Sequence, residues 1–220
     1  TCIQHSKELL AFAEATMSDS YYSTVADSFY KSNSGFYDEL CFGYAWLYKA
    51  TNDSAYLAKA EEYAEYWGKK SQTTETKYDW ATCWDDVTYA GALLLAEITG
   101  DDHYNDVIRR HLDYWTIGVD GDKIKYTPGG LAFCDTWGPL RYATTTAFMA
   151  LLYAECEYCP ADRVDTYVSF AKSQVDYALG STGQSYVCGF GENYPVSPHH
   201  RTASGVWDNN CATTNPATNR

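Results

Sequence analysis

Apolar residues along this chain recur mainly at three- and four-residue spacing, the period of one helix face. Residues 4–17 carry Leu9, Leu10, Phe12 and Ala13, and residues 38–51 carry Leu40, Ala45, Leu47 and Tyr48. Asp53 stands where it can cap a third helix, whose stripe is Tyr56, Leu57, Ala60, Tyr63, Ala64 and Trp67. Residues 85–99 hold Ala90, Leu93, Leu94, Leu95 and Ile98, with Gly100 suited to the C-terminal stop. Residues 104–115 follow with Val107, Ile108 and Leu112. Residues 142–156 and 162–179 make a last pair, ended by Gly180. The spacing predicts a chain that is helical almost throughout, with at least six helices longer than eight residues between Gln4 and Leu179.

The helices repeat. Asp38-Glu39 returns as Asp85-Asp86, 47 residues on. Ala50-Thr51-Asn52-Asp53 returns as Ile98-Thr99-Gly100-Asp101, and Trp67 as Trp115, both 48 residues on. Residues 142–179 form a looser third copy. Repeated αα-hairpins build either an open solenoid or a closed α/α toroid, and three hairpins would be half of a six-hairpin toroid. The connections at residues 18–37, 68–84, 116–141 and 180–220 are long and carry Gly, Pro, Trp and charge. Loops of that length in a helical array are usually functional, and here they would gather at one end of the helices, where a cleft can form.

A length of 220 residues suits one large domain or two small ones. With 29 acidic against 16 basic residues, the net charge of −13 argues against nucleic acid or an anionic membrane as partner. No apolar run approaches the ~20 residues of a membrane span. The opening Thr1-Cys2, in place of Met, marks a processed, trimmed or partial chain. The 21 Tyr and 7 Trp mainly supply core, but their flat faces with polar handles also suit sugar rings. Trp46, Trp67, Trp84 and Trp115 sit on helical stripes and read as packing. Of eight cysteines, Cys41 and Cys83 fall inside helical patterns as buried thiols. Cys156-Glu-Tyr-Cys159 is the one CxxC, and without a second CxxC or a nearby His it argues against zinc. Asn52-Asp53-Ser54 is a lone glycosylation sequon.

Several segments carry a resemblance. Ser34-Gly35-Phe36-Tyr37-Asp38-Glu39-Leu40 is followed by Trp46-Leu47-Tyr48-Lys49-Ala50-Thr51, then by Cys83-Trp84-Asp85-Asp86 and Tyr126-Thr127-Pro128-Gly129-Gly130-Leu131. Trp137-Gly138-Pro139-Leu140-Arg141-Tyr142-Ala143-Thr144 and Gly189-Phe190-Gly191-Glu192-Asn193 come next, leading to Pro198-His199-His200-Arg201. In content and order these blocks resemble glycoside hydrolase family 9, and they nearly fill the chain. Cys188 and Phe42 depart from the family pattern. The resemblance implies an all-α fold whose αα-hairpins form part of an (α/α)6 barrel. It also implies a secreted, inverting endo-β-1,4-glucanase acting on cellulose or a related β-1,4-glucan polysaccharide. It covers only the later middle of the family domain. Residues 1–220 are therefore expected to be one partial catalytic domain, lacking its N-terminal and C-terminal segments. The Asp-x-x-Asp general base belongs before Thr1 and the general acid Glu beyond Arg220. Inversion needs two carboxyls roughly 6.5–9.5 Å apart, so the 220 residues alone are expected to be inactive.

The resemblance also distributes roles. His199 matches an active-site residue that positions substrate, and Arg201 offers a fork of donors beside it. Trp137 would stack on a glucose ring, with Arg141 and Tyr142 reaching hydroxyls; Tyr30 and Trp80 match further aromatic cleft positions. Without the resemblance, His199 and Arg201 read as a surface loop, Trp137 as a plug at the barrel end and Arg141 as the partner of a loop carboxylate. Ser34, Gly35, Asp38, Glu39 and Asp85 combine hard oxygen donors of the kind Ca²⁺ takes, and some family members bind calcium at matching positions. The plainer reading is that these carboxylates complement helix N-termini. Asp85 and Asp86, adjacent on one chain, cannot flank a glycosidic bond as an acid–base pair. Two other functions remain open at this point. One is a non-catalytic β-glucan-binding or structural protein on the same fold; the other is a helical-repeat interaction module that binds no cello-oligosaccharide.

Overall fold

The same cap chemistry, used twice, sets the first two hairpins. Asn52 and Gly100 take left-handed backbone at the helix C-termini. One residue later Asp53 accepts from the Ala55 N–H (3.0 Å), and Asp101 from the His103 N–H (2.7 Å). Each carboxylate satisfies an orphan donor of the next helix. At Gly100 only glycine fits: φ is +67°, and a Cβ would lie 2.6–2.8 Å from the Tyr158 ring.

A computed structural model describes residues 1–27 and 30–196. Its helices are α1 (Cys2–Thr16), α2 (Ser20–Ala26), α3 (Tyr37–Thr51), α4 (Ser54–Ala64), α5 (Thr88–Thr99), α6 (Asp102–Thr116), α7 (Pro139–Glu155) and α8 (Ala161–Leu179). Between α6 and α7 lies a short antiparallel ribbon, β1 (Lys125–Tyr126) and β2 (Ala132–Phe133), with Tyr126 opposite Ala132. Helices α3–α4, α5–α6 and α7–α8 form three antiparallel hairpins. Helix α5 packs on α3 and α7, while α1 packs on α3. The all-α reading holds: seven helices, α1 and α3–α8, exceed eight residues.

The core lies between the hairpins. Helix α5 is buried along most of its length through Tyr89, Ala92, Leu93, Leu94, Leu95 and Ala96. Gly91 brings it against Trp67 of the preceding hairpin. Trp115, Tyr153 and Tyr167 are fully buried around α6–α8. Asp113, 4% exposed, ties α6 to α8 by accepting from Arg163 Nε (3.1 Å) and the Tyr167 hydroxyl (2.9 Å). A buried carboxylate this well partnered is costly to break, because truncating Arg163 or Tyr167 leaves a charge short of donors.

Three details differ from the sequence reading. Helix α5 starts at Thr88, not at residue 85, because Asp86 turns back to accept from the Thr88 N–H (2.9 Å) while its carbonyl accepts from the Cys83 N–H (2.8 Å). Cys83, Trp84 and Asp85 therefore sit in a turn, and Cys83 is half-buried there; Cys41 is buried as expected. The connection at 18–37 contains α2. Trp46 and Trp84 are 49% and 45% exposed, so of the four tryptophans read as packing only Trp67 and Trp115 are core. The seven described cysteines are all free thiols.

His111 is fully buried and stacks on Tyr89 with ring centroids 3.7 Å apart. Its Nδ1 donates to the Tyr78 carbonyl (3.0 Å), and its Nε2 has no partner among the described residues. Burial pushes its pKa down to about 3. The native state thus resists a proton that the unfolded chain accepts near its ordinary value of about 6.5. Stability from this group is complete above that pH and is lost as pH falls toward the folded value, with a slope approaching about 1.4 kcal/mol per pH unit. Urea unfolding should show stability falling from pH 7 to pH 4, with a shallower slope in His111→Gln.

Candidate active site

The connections that precede α3, α5 and α7 meet at the end of the hairpins where those helices begin. They enclose a cleft of about 570 Å³ lined by Tyr30, Asn33, Trp80, Cys83, Trp84, Asp85, Asp135, Trp137, Arg141 and Tyr142. Five of the expected substrate residues, Tyr30, Trp80, Trp137, Arg141 and Tyr142, are thus brought together from three separate connections. His199 and Arg201 lie outside the described residues.

Each side chain has a local reason for its position. Gly138 takes φ +64° and Pro139 opens α7, a sharp entry that leaves Trp137 projecting at 78% exposure. Arg141 comes round one turn later. Its guanidinium lies 4.4 Å over the Tyr142 ring and donates to the Tyr142 hydroxyl (2.5 Å). Tyr142 is only 3% exposed, so it lines the floor and holds Arg141 while offering little surface itself. Trp80 packs on Tyr142 with centroids 5.7 Å apart. Its backbone is fixed on both sides: its N–H donates to the Tyr89 hydroxyl (3.3 Å) and its carbonyl accepts from Trp115 Nε1 (3.1 Å). Tyr30 meets Trp84 edge to face, with centroids 5.2 Å apart and planes at 80°.

A second hollow of about 420 Å³ adjoins the cleft, sharing Asn33, Trp80 and Asp85 and adding Ser34, Asp38 and Asp86. Asp38, 3% exposed, accepts the Val87 N–H on Oδ2 (2.8 Å), while its buried Oδ1 has no partner among the described residues. The Asn33 backbone N–H and side-chain amide donate to the two oxygens of Asp85 (2.8 and 3.0 Å). The Ser34 hydroxyl lies against the Asp85 carbonyl. Gly35, at φ +88°, turns the chain toward α3, bracketed by the Ser32 hydroxyl. Burial raises the Asp38 carboxyl, only partly offset by the Val87 N–H. Glu39 exposes part of its side chain, but partial burial of the carboxyl, and then the charge of Asp38, push it up to about 8. Burial also raises Asp86. Among the described residues Lys77 is the one basic residue lining this hollow.

Oxygens surround this hollow, and among the described residues one of them, the buried Asp38 Oδ1 at its lining, has no hydrogen-bond partner. Among the described residues no three His, Cys, Asp or Glu side chains form a metal cluster. A hard cation would therefore need hydroxyl and carbonyl donors as well as carboxylates, which calcium accepts. Ser34 Oγ, Asp38 Oδ1 and the Asp85 carbonyl fit that chemistry. The Asp85 carboxylate, expected as a ligand, is already held by Asn33.

Residues 1–220 match the model of the family described as Glycosyl hydrolase family 9. The chain belongs to glycosyl hydrolase family 9. It is 46% identical over 211 residues to endoglucanase B of Cellulomonas fimi, covering 94% of this chain and 20% of that protein. It is 42% identical to endoglucanase A of Bacillus pumilus, covering 99% of this chain and 33% of that protein. Endoglucanase CelQ of Clostridium thermocellum, solved in complex with cellotriose, matches with a TM-score of 0.87 at 50% identity over 93% of this chain and 34% of its own. The chain thus spans a fifth to about a third of the length of these three relatives. Its hairpins are part of the (α/α)6 barrel of the family.

Sequence reading missed Asn33, Trp84 and Asp135 as cleft residues. The signal for Trp84 was present in Cys83-Trp84-Asp85-Asp86, but starting the helix at residue 85 put this Trp on a packing stripe. Asp38 supplies a direct test of the hollow. In chelator, Asp38→Ala should cost about 1–3 kcal/mol in urea unfolding, because the part-buried Val87 N–H loses its acceptor. Asp38→Asn, which keeps an acceptor and removes a charge, should cost less than half as much.

Proposed function

We propose that this chain forms the substrate cleft of an enzyme that hydrolyses internal β-1,4-glucosidic bonds of cellulose or related β-glucans by inversion. The observation that supports this most is the convergence of Trp80, Trp137, Tyr30 and Arg141 in one open cleft of a family 9 chain. Trp137 presents a flat face on which a glucose ring can stack, and Arg141, braced on Tyr142, aims donors at ring hydroxyls. Trp80 and Tyr30 extend the aromatic lining. His199 and Arg201 hold the sugar at the reacting bond by directional hydrogen bonds. A site built to hydrogen-bond a substrate hydroxyl rejects sugars whose hydroxyls are misplaced. The acid that protonates the leaving oxygen and the base that activates water belong to other segments of a longer catalytic domain, of which residues 1–220 are one part. A polymer of this size does not enter a cell, so the enzyme acts outside it, as a secreted protein.

The full-length protein acting on cellopentaose should release products whose new reducing end is first the α-anomer, seen by NMR before mutarotation. β-Anomer first, or no hydrolysis by the intact protein, would overturn this reading. Trp137→Ala should raise KM about fivefold, as expected for losing on the order of 1 kcal/mol of buried aromatic contact.

We also propose a Ca²⁺ site at Ser34, Gly35, Asp38, Glu39 and Asp85, of which Ser34, Asp38 and Asp85 line the hollow, with the unpartnered Asp38 Oδ1 as the chief support. Bound calcium would supply positive charge beside Asp38 and Glu39, whose carboxyls burial makes harder to ionise. Its role is to fasten the segment before α3 to the turn before α5. Asp38 and Glu39 are raised, so without a cation their share of stability is greatest at low pH and is lost as pH rises toward 8. Chelator should therefore lower Tm more at pH 8 than at pH 5. Millimolar calcium should restore it, in proportion to RT ln(1 + [L]/Kd).

A further inference from the structure

We infer that Trp84 is a positioning residue of the cleft: its ring fixes Tyr30 as a sugar-facing wall. This deepens the glucanase reading above and rests on it. Tyr30 lies in irregular backbone between α2 and α3, and its ring is 54% exposed. Among the described residues its one aromatic partner is Trp84, edge to face at 5.2 Å. Trp84 in turn sits on a well-braced turn. The Cys83 N–H donates to the Asp86 carbonyl at 2.8 Å, the Val87 N–H to Asp38 Oδ2 at 2.8 Å, and Asn33 holds Asp85 through both oxygens. An indole carried on a braced turn therefore backs a tyrosine that its own backbone does not hold in a helix or strand.

An edge-to-face pair leaves one ring's face free while fixing its orientation. Side-chain freedom removed before the ligand arrives is not charged against binding. Losing the pair should therefore appear in binding, while the chemistry at the scissile bond is untouched. Trp84 acts through Tyr30, so the two substitutions should overlap instead of adding.

The experiment is a double-mutant cycle in the full-length protein with cellohexaose. Trp84→Ala and Tyr30→Ala should each raise KM about two- to tenfold, the range of one aromatic pair, with kcat within about twofold of the parent. The double variant should be no worse than the weaker single variant, and Trp84→Phe should recover most of the affinity. Additive losses would show that Trp84 meets the sugar by itself, overturning the positioning role. So would a Trp84→Ala variant with parental KM, or one whose kcat and Tm fall together. A parent protein with no activity on cellohexaose would instead overturn the glucanase reading.

Discussion

One hydrogen bond organises the cleft end of the molecule: the Asp38 carboxylate in the first turn of α3 accepts from the Val87 N–H at the entry to α5. It joins two hairpins through a group that is almost completely buried. A buried carboxylate needs donors or a counter-charge, and among the described residues this one has the Val87 N–H on one oxygen and no partner on the other. The segment containing Asn33 and Ser34 therefore closes over it, and the turn at residues 83–87 folds back to meet it. Trp80 and Trp84 are carried on that turn and its approach. The wall of the cleft thus depends on how one carboxylate is satisfied.

The helices and their pairing were legible because burial in a hairpin array follows a helical period. The repeat of Asp53 as Asp101 and of Trp67 as Trp115 marks equivalent structural positions, a cap and a core indole. The cleft was legible through its motif residues, since Trp137 and Arg141 are set by a Gly-Pro helix entry that the sequence spells out. The start of α5 was not legible. Asp85 and Asp86 both look like helix N-terminal residues, and only tertiary bonds to Asn33 and Thr88 decide that they form a turn. That one local competition moved Trp84 from core to cleft. The ligand chemistry of Asp85 was hidden for the same reason, because a pairing 52 residues away in sequence occupies its carboxylate.

Tyrosine is used in two distinct ways. Tyr89, Tyr153 and Tyr167 are buried in the core, with hydroxyls spent on Trp80, Asn105 and Asp113. Tyr142 stands between the two uses: its ring floors the cleft and its hydroxyl braces Arg141. The high aromatic content therefore supports both the packing of the hairpins and the lining of the cleft, and composition alone does not separate them.

The cleft belongs to no single hairpin. Trp84 and Asp85 come from the approach to the second, Trp137 and Arg141 from the approach to the third, and Asn33 from the approach to the first. None of these segments can form a concave surface until its neighbours are docked. Any molecule seated there consequently acts as a clamp across the hairpins. It favours the docked arrangement over every partly undocked one by mass action, so occupancy of the cleft and resistance to local opening are thermodynamically linked.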